Sequence, residues 1–214
     1  MMKPLLAVSL VVFSLFGLNA FAEDEPRYEE GKHYTLLSNP VKTTYRGDEI
    51  GEIMEFFSMS CIHCYHLEPG IERFLKEKPD NIRFTQVPVI FNNRQEPEAR
   101  AFYVAEIMNL KKAQPAIFER NFVERKPFRN DQDYAKFFTQ YGMTEDEYMA
   151  KAHSFAVDSK IKNAMYLTGT SAITGTPSIV VNGKYQIETG VVGGNETALY
   201  VAKWLIENEA KKAQ

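Results

Sequence analysis

Two kinds of spacing alternate along this chain. Short apolar runs rich in strand formers lie at Tyr34–Leu37, Ile53–Phe57 and Ile82–Phe91, the first stopped by Asn39-Pro40. Between the second and third, Cys64–Lys78 reads as a helix with Pro69 as a kink, so strand, turn, helix and strand form a βαβ unit. The period then changes. Ala101, Val104, Ala105 and Met108 fall at i, i+3, i+4 and i+7, and Tyr134, Phe137, Phe138 and Tyr141 repeat the pattern. Gly142 suits a helix terminator, and Thr144-Glu145-Asp146-Glu147 is a capping box that opens another helix. Four or five helices are therefore predicted over 95–168. Strand spacing returns at Ser178–Val181, where Asn182-Gly183 signals a hairpin into Lys184–Ile187. Ala198, Val201, Ala202 and Leu205 stripe a last helix beginning near Asn195. The pattern predicts an α/β fold: a small sheet domain from 23–94 and 169–214, interrupted by an all-helical insertion at 95–168.

Ahead of these elements stands an address. Met1-Met2-Lys3 is positive, Leu5 to Leu18 is almost wholly apolar, and Ala20-Phe21-Ala22 matches a signal-peptidase site. The run falls short of the roughly 18 residues a membrane span needs. Residues 1–22 therefore read as a cleaved signal peptide, and no later segment is apolar enough for membrane insertion. The 214 residues, less that leader, suit one domain with a large insertion. A net charge of −3 and the lack of a basic cluster argue against nucleic acid as a partner.

Only two cysteines occur, Cys61 and Cys64. In an exported protein a structural disulfide usually closes a longer loop, because stabilisation grows with loop length. A bridge across two residues is a poor staple and a plausible reactive centre.

The residues around this pair carry a resemblance. Glu55-Phe56-Phe57-Ser58-Met59-Ser60-Cys61-Ile62-His63-Cys64-Tyr65 looks like the active-site segment of the DsbA family of bacterial periplasmic disulfide oxidases. Gly175-Thr176-Pro177-Ser178-Ile179-Val180-Val181-Asn182-Gly183-Lys184-Tyr185 resembles that family's second signature, a loop with a cis-proline. Tyr28-Glu29-Glu30-Gly31-Lys32 and Tyr34 are similar to its mature N-terminus. The resemblance implies a thioredoxin-like fold, a helical insertion domain and a periplasmic oxidase of newly exported proteins. It also implies reoxidation by a DsbB-type, quinone-linked inner-membrane partner, with no bound cofactor. Ile62 stands where proline is commonest in the family, and Gln86 where some members carry lysine.

Chemical roles follow. Cys61 at a helix start combines exposure with the positive end of the helix dipole, worth roughly 0.3–2 kcal/mol, and is expected to attack and accept. Cys64, one turn in, is expected to resolve the mixed disulfide. His63 can give the Cys61 thiolate a hydrogen bond or positive charge; His66 reads as a surface residue. Glu55, on a strand face with Ile53 and Phe57, is expected to be desolvated, with a raised pKa suited to proton exchange with Cys64. Glu68 adds local charge. Only about 5–6% of X–Pro bonds in folded proteins are cis, so it is the resemblance that makes Pro177 cis and presents the Thr176 backbone to an extended substrate by strand addition. The Thr176 hydroxyl is expected within reach of Cys61, and Asn195-Glu196-Thr197 reads as an N-cap.

Two rival functions share these residues. A disulfide isomerase or reductase could use the same fold, but such isomerases usually add an N-terminal dimerisation domain, and the short lead-in here favours a monomer. A metal-binding module could use Cys61, His63, Cys64 and His66, but tetrahedral zinc sites usually draw on two separated segments, so no metal is expected.

Overall fold

In the computed structural model, residues 27–190 and 192–212 are described; the expected leader at 1–22 lies outside them. The elements run β1 (Thr35–Leu36), β2 (Gly51–Phe57), α1 (Ile62–Glu77), β3 (Ile82–Pro88), α2 (Glu96–Ile107), α3 (Ala113–Phe122), α4 (Asp131–Phe138), a 3-10 turn (Thr139–Tyr141), α5 (Glu145–Ala152), α6 (Phe155–Thr170), β4 (Ser178–Val181), β5 (Tyr185–Glu188) and α7 (Asn195–Lys212). The strands form one sheet in the order β1-β5-β4-β2-β3. β2 and β3 pair in parallel, as the crossover through α1 requires, and the other neighbours are antiparallel. This is a thioredoxin-like sheet with five helices inserted between β3 and β4.

The sequence pattern located these elements with small shifts at their ends. β3 stops at Pro88 rather than Phe91, because its partner β2 ends at Phe57, whose carbonyl takes the last ladder bond from the Val89 N–H. α1 begins at Ile62, two residues earlier than expected, with Cys61 as its N-cap, and it carries Pro69 internally without ending there. The capping box at Thr144 forms as read: the Thr144 hydroxyl accepts from the Glu147 N–H and the Glu147 carboxylate accepts from the Thr144 N–H. At the β4–β5 hairpin both Asn182 and Gly183 have positive φ, +50° and +64°. A Cβ on Gly183 would lie 2.0 Å from the Val41 carbonyl oxygen, so glycine is needed there for space as well as backbone angle.

Two apolar cores flank the sheet. One, between the sheet and α1 and α7, holds Ile53, Leu67, Phe74, Ile179 and Leu205. The other joins sheet residues such as Met54 and Phe56 to the inserted helices through Phe102, Phe118, Phe138 and Tyr148. This second core is continuous, so the insertion is packed onto the sheet over its whole depth. Phe57 and Phe102 make an edge-to-face contact at 5.0 Å between ring centres across the junction. The expected pairing of Ile53 and Phe57 on one face is corrected here: Ile53 belongs to the first core and Phe57, at the strand's end, to the second.

Candidate active site

The site forms where β2 ends and α1 begins. Ser58-Met59-Ser60 links them, and the Cys61 N–H donates to the Ser58 carbonyl at 3.1 Å. α1 opens with the Tyr65 N–H on the Cys61 carbonyl at 3.1 Å. Both thiols are free, so this is the dithiol state. Cys61 is half-buried and Cys64 is fully buried.

That difference separates their acidities. A hydrogen bond from the Cys64 thiol pulls the Cys61 thiol down to about 5, against the upward push of partial burial. The Thr176 side chain and the N–H groups of Cys64 and His63 add to the lowering. Cys64 moves far in the other direction, through its bond to Cys61, burial and the nearby Glu55 carboxyl. One sulfur is thus a thiolate at neutral pH and its neighbour a thiol, the asymmetry disulfide exchange needs.

The Thr176–Pro177 bond is cis, and the Cys61 thiol donates to the Thr176 carbonyl at 3.3 Å. Beside them is an open hollow of about 280 Å³, lined by His63, Thr176, Pro177, Ser178 and Asn195 among others. His63 is exposed, and what reaches the Cys61 sulfur from this residue is its backbone N–H. Its carbonyl accepts from the Asn195 side-chain amide at 3.1 Å, tying α7 to the active-site turn. The Asn195 side chain, expected as a local cap, therefore reaches across to α1.

Glu55 is fully buried on β2, an interior strand between β4 and β3. Burial, then the charge of Glu68, pushes its carboxyl up to about 8, with a smaller push from Cys61; the hydrogen bond from Gln86 opposes this. The Gln86 amide donates to Glu55 at 2.8 Å and, more weakly, to Glu68 at 3.4 Å. Gln114 from α3 donates to the same Glu68 oxygen at 3.2 Å. Glu68 is itself pushed up to about 7, chiefly by burial. The second Glu55 oxygen is buried without a hydrogen-bond partner, which favours the protonated acid. Gln86, read from sequence only as the loss of a charged partner, is the neutral donor bridging the two acids. On the Glu68 side of α1 lies an apolar hollow of about 480 Å³ walled by Tyr65, His66, Pro69, Pro115 and Phe118. Tyr65 stacks on Phe122, 5.5 Å between ring centres. Among the described residues no group of three or more His, Cys, Asp or Glu side chains is placed to hold a metal ion.

Sequence reasoning missed Glu98 and Asn121. Glu98, in the first turn of α2, is 7% exposed and accepts from the Ser58 hydroxyl and the Met59 N–H. Asn121 on α3 donates to the Met59 carbonyl at 2.8 Å. An acidic residue in a helix's first turn reads from sequence as a solvated partner of the dipole, and nothing local marks it as buried.

A thioredoxin-like fold with a dithiol at a helix N-terminus, its outer sulfur strongly acidified, defines a thiol–disulfide oxidoreductase. Relatives agree. A family model described as a DSBA-like thioredoxin domain matches residues 93–201, a span that begins beyond the cysteines. The relatives cover the cysteines as well. The chain is 32% identical to the thiol:disulfide interchange protein DsbA of Pseudomonas aeruginosa, over 100% of both chains, and 33% identical to that of Pseudomonas syringae pv. tomato, over 100% of this chain and 99% of the relative. The crystal structure of Pseudomonas aeruginosa DsbA superposes with a TM-score of 0.79 at 31% identity, covering 87% of this chain and 96% of that one. Reduced DsbA1 from Neisseria meningitidis gives 0.74 at 25% identity, covering 87% and 98%. The chain belongs to the DsbA family.

Proposed function

We propose that this protein is a periplasmic oxidase that donates its Cys61–Cys64 disulfide to newly exported proteins. The carrying observation is the split between the two sulfurs, Cys61 at about 5 and Cys64 pushed far up. A substrate thiolate attacks the Cys61 sulfur of the disulfide; the Cys61–Cys64 bond breaks, and Cys64 leaves and takes a proton. Glu55, protonated at neutral pH and near enough that its ionised form would act on Cys64, is the donor we assign. The substrate's second thiolate then attacks its own sulfur in the mixed disulfide and expels Cys61 as a thiolate. Two electrons have passed from substrate to protein. A stable Cys61 thiolate is a good leaving group, so the reduced form is favoured and the disulfide oxidises others.

The hollow beside Thr176 and Pro177 is the surface we assign to the extended substrate chain, with His63 at its rim supplying positive charge to the thiolate when protonated. Pairing there would read backbone rather than side chains, consistent with many substrates. The apolar leader ending at Ala22 supports export, and no helix among the described residues is long and apolar enough to cross a membrane. Reoxidation then falls to a DsbB-type inner-membrane partner. We also assign residues 23–94 and 169–214 to the thioredoxin-like domain and 95–168 to the insertion.

Equilibration with glutathione mixtures, with the Cys61 thiolate followed by its ultraviolet absorbance, tests this reading. An acidic Cys61 and a disulfide that glutathione readily reduces are expected. An ordinary thiol pKa with a strongly reducing potential would overturn the oxidase and favour a reductase.

A further inference from the structure

A large hollow lies away from the cysteines. It holds about 890 Å³ and runs along β3, with Leu75 of α1 on one side and α2 and α6 on the other. β3 is the last strand of the sheet, so one of its backbone edges has no strand partner. The ladder decides which groups that edge presents. The Val89 N–H donates to the Phe57 carbonyl on β2 at 2.9 Å. On a parallel ladder alternate residues turn both backbone groups to the same side, so the odd-numbered residues of β3 face β2. Phe84 and Gln86 therefore point their N–H and C=O groups outward, into the hollow. Pro88, which has no N–H, closes the edge at its far end.

The walls are positive. Lys42, Arg46, Arg83 and Lys160 line the hollow against two carboxylates, Glu52 and Glu106, in a chain whose net charge is −3. Glu52 is buried and already accepts from the Thr44 N–H and hydroxyl and the Thr85 hydroxyl at 2.6, 2.7 and 2.7 Å. Glu106 is held by Lys160 at 3.1 Å, and Arg83 by Glu49 at 2.9 Å. Neither Lys42 nor Arg46 makes an ion pair among the described residues. The floor adds apolar and aromatic surface from Met54, Phe102, Tyr103 and Tyr166.

We infer that this hollow is a second peptide-binding site, which takes an extended, acidic segment of a partner protein as an added strand on β3. The backbone groups of Phe84 and Gln86 supply the pairing. The cations choose carboxylate side chains, and the apolar floor takes the alternate residues. A second copy of this chain fits poorly, since edge-to-edge pairing of two β3 strands would bring the Arg83 side chains and their neighbouring cations together.

The test uses the oxidised protein and two capped octapeptides, one alternating valine with glutamate and one alternating valine with lysine. Backbone amide shifts are followed by NMR as each is added. The expected result is saturable movement of the Phe84 and Gln86 amides with the glutamate peptide only, weakening as salt is raised. Lys42→Glu with Arg46→Glu should weaken that binding about tenfold while glutathione exchange at Cys61 is unchanged, since both residues lie away from the cysteines. Movement confined to Thr176–Ser178, equal response to both peptides, no response at millimolar peptide, or self-association through β3 would each overturn the inference.

Discussion

The Glu98 carboxylate, carried by the inserted helix α2, accepts the backbone N–H of Met59 at 2.5 Å, two residues before the reactive Cys61. The same oxygen accepts the Ser58 hydroxyl at 2.7 Å, and the Ser58 carbonyl in turn accepts the Cys61 N–H at 3.1 Å. The insertion thus holds the turn on which the thiolate sits. Glu98→Ala leaves the buried Met59 N–H without an acceptor, a cost of about 1–3 kcal/mol. It should also raise the Cys61 pKa as the turn loosens, with Glu98→Gln retaining much of both. Urea denaturation and a thiolate titration check this; lost stability with an unmoved titration would reduce Glu98 to a purely structural contact.

The reduced protein should gain stability over the oxidised one as pH rises from 4 to about 8. An unfolded thiol titrates near 8.5, whereas folded Cys61 titrates at about 5. Between those values the unfolded state holds a proton that the folded state has released, so stability rises with pH. The contribution is complete above the unfolded value and lost as pH falls through about 5. Cys64, shifted upward, enters only above the unfolded thiol value. Melting temperatures of both redox forms across this range measure it, and a constant difference would contradict it.

Glu55 carries the opposite sign. Its carboxyl titrates at about 8 in the fold, against about 4.3 when unfolded. Between these values the folded state keeps a proton that the unfolded state has lost, so Glu55 makes stability fall as pH rises. Glu55→Gln should flatten that slope and make the oxidised protein the more stable variant at pH 9, though Glu68, at about 7, retains part of it. Denaturant midpoints at pH 5 and 9 decide; an unchanged slope would remove Glu55 from this account.

Removing Cys64 should trap the mixed disulfide by the reverse route. The Cys61 thiolate attacks a disulfide already formed in an exported protein, one substrate sulfur leaves as thiolate, and the thiol that would release Cys61 is gone. Cys64→Ala leaves Cys61 acidified by the Thr176 side chain and the His63 and residue-64 N–H groups. It loses the largest contribution, the Cys64 thiol, so its pKa should rise while staying below an ordinary thiol's. Mixed disulfides through Cys61 with exported proteins are expected on non-reducing gels. Their absence in an export-competent cell would count against direct substrate oxidation.

The β4–β5 turn offers a stability check away from the chemistry. Gly183→Ala meets both a positive φ and the Val41 carbonyl at 2.0 Å. It should cost more than about 1 kcal/mol, the scale at which glycine replacement ceases to be tolerated. A urea midpoint matching the parent would mean that the turn can shift.

The strands, the helix after the cysteines and the helical block were legible because each writes its own period into the chain. The Thr144 capping box and the Asn182-Gly183 turn were legible because their hydrogen bonds close within four residues. Strand ends were read less well: β3 runs out of partner where β2 ends at Phe57, whereas hydrophobicity alone would have extended it to Phe91.

The site divides the same way. Cys61 and Cys64 stand three positions apart at a strand-to-helix turn, so sequence alone singled out the candidate pair, and the second signature pointed to Thr176 and Pro177. What tertiary structure decided was the environment. Gln86 and Gln114 converge on Glu68, and Glu98 and Asn121 on the turn before Cys61, from strands and helices 18 to 62 residues away. Burial and charge act through space, so the acidity of Cys61 and the raised acids behind Cys64 exist only once β2, α1, β3 and the Thr176 loop have come together. The two lone cysteines name the reaction; the fold makes one of them a thiolate.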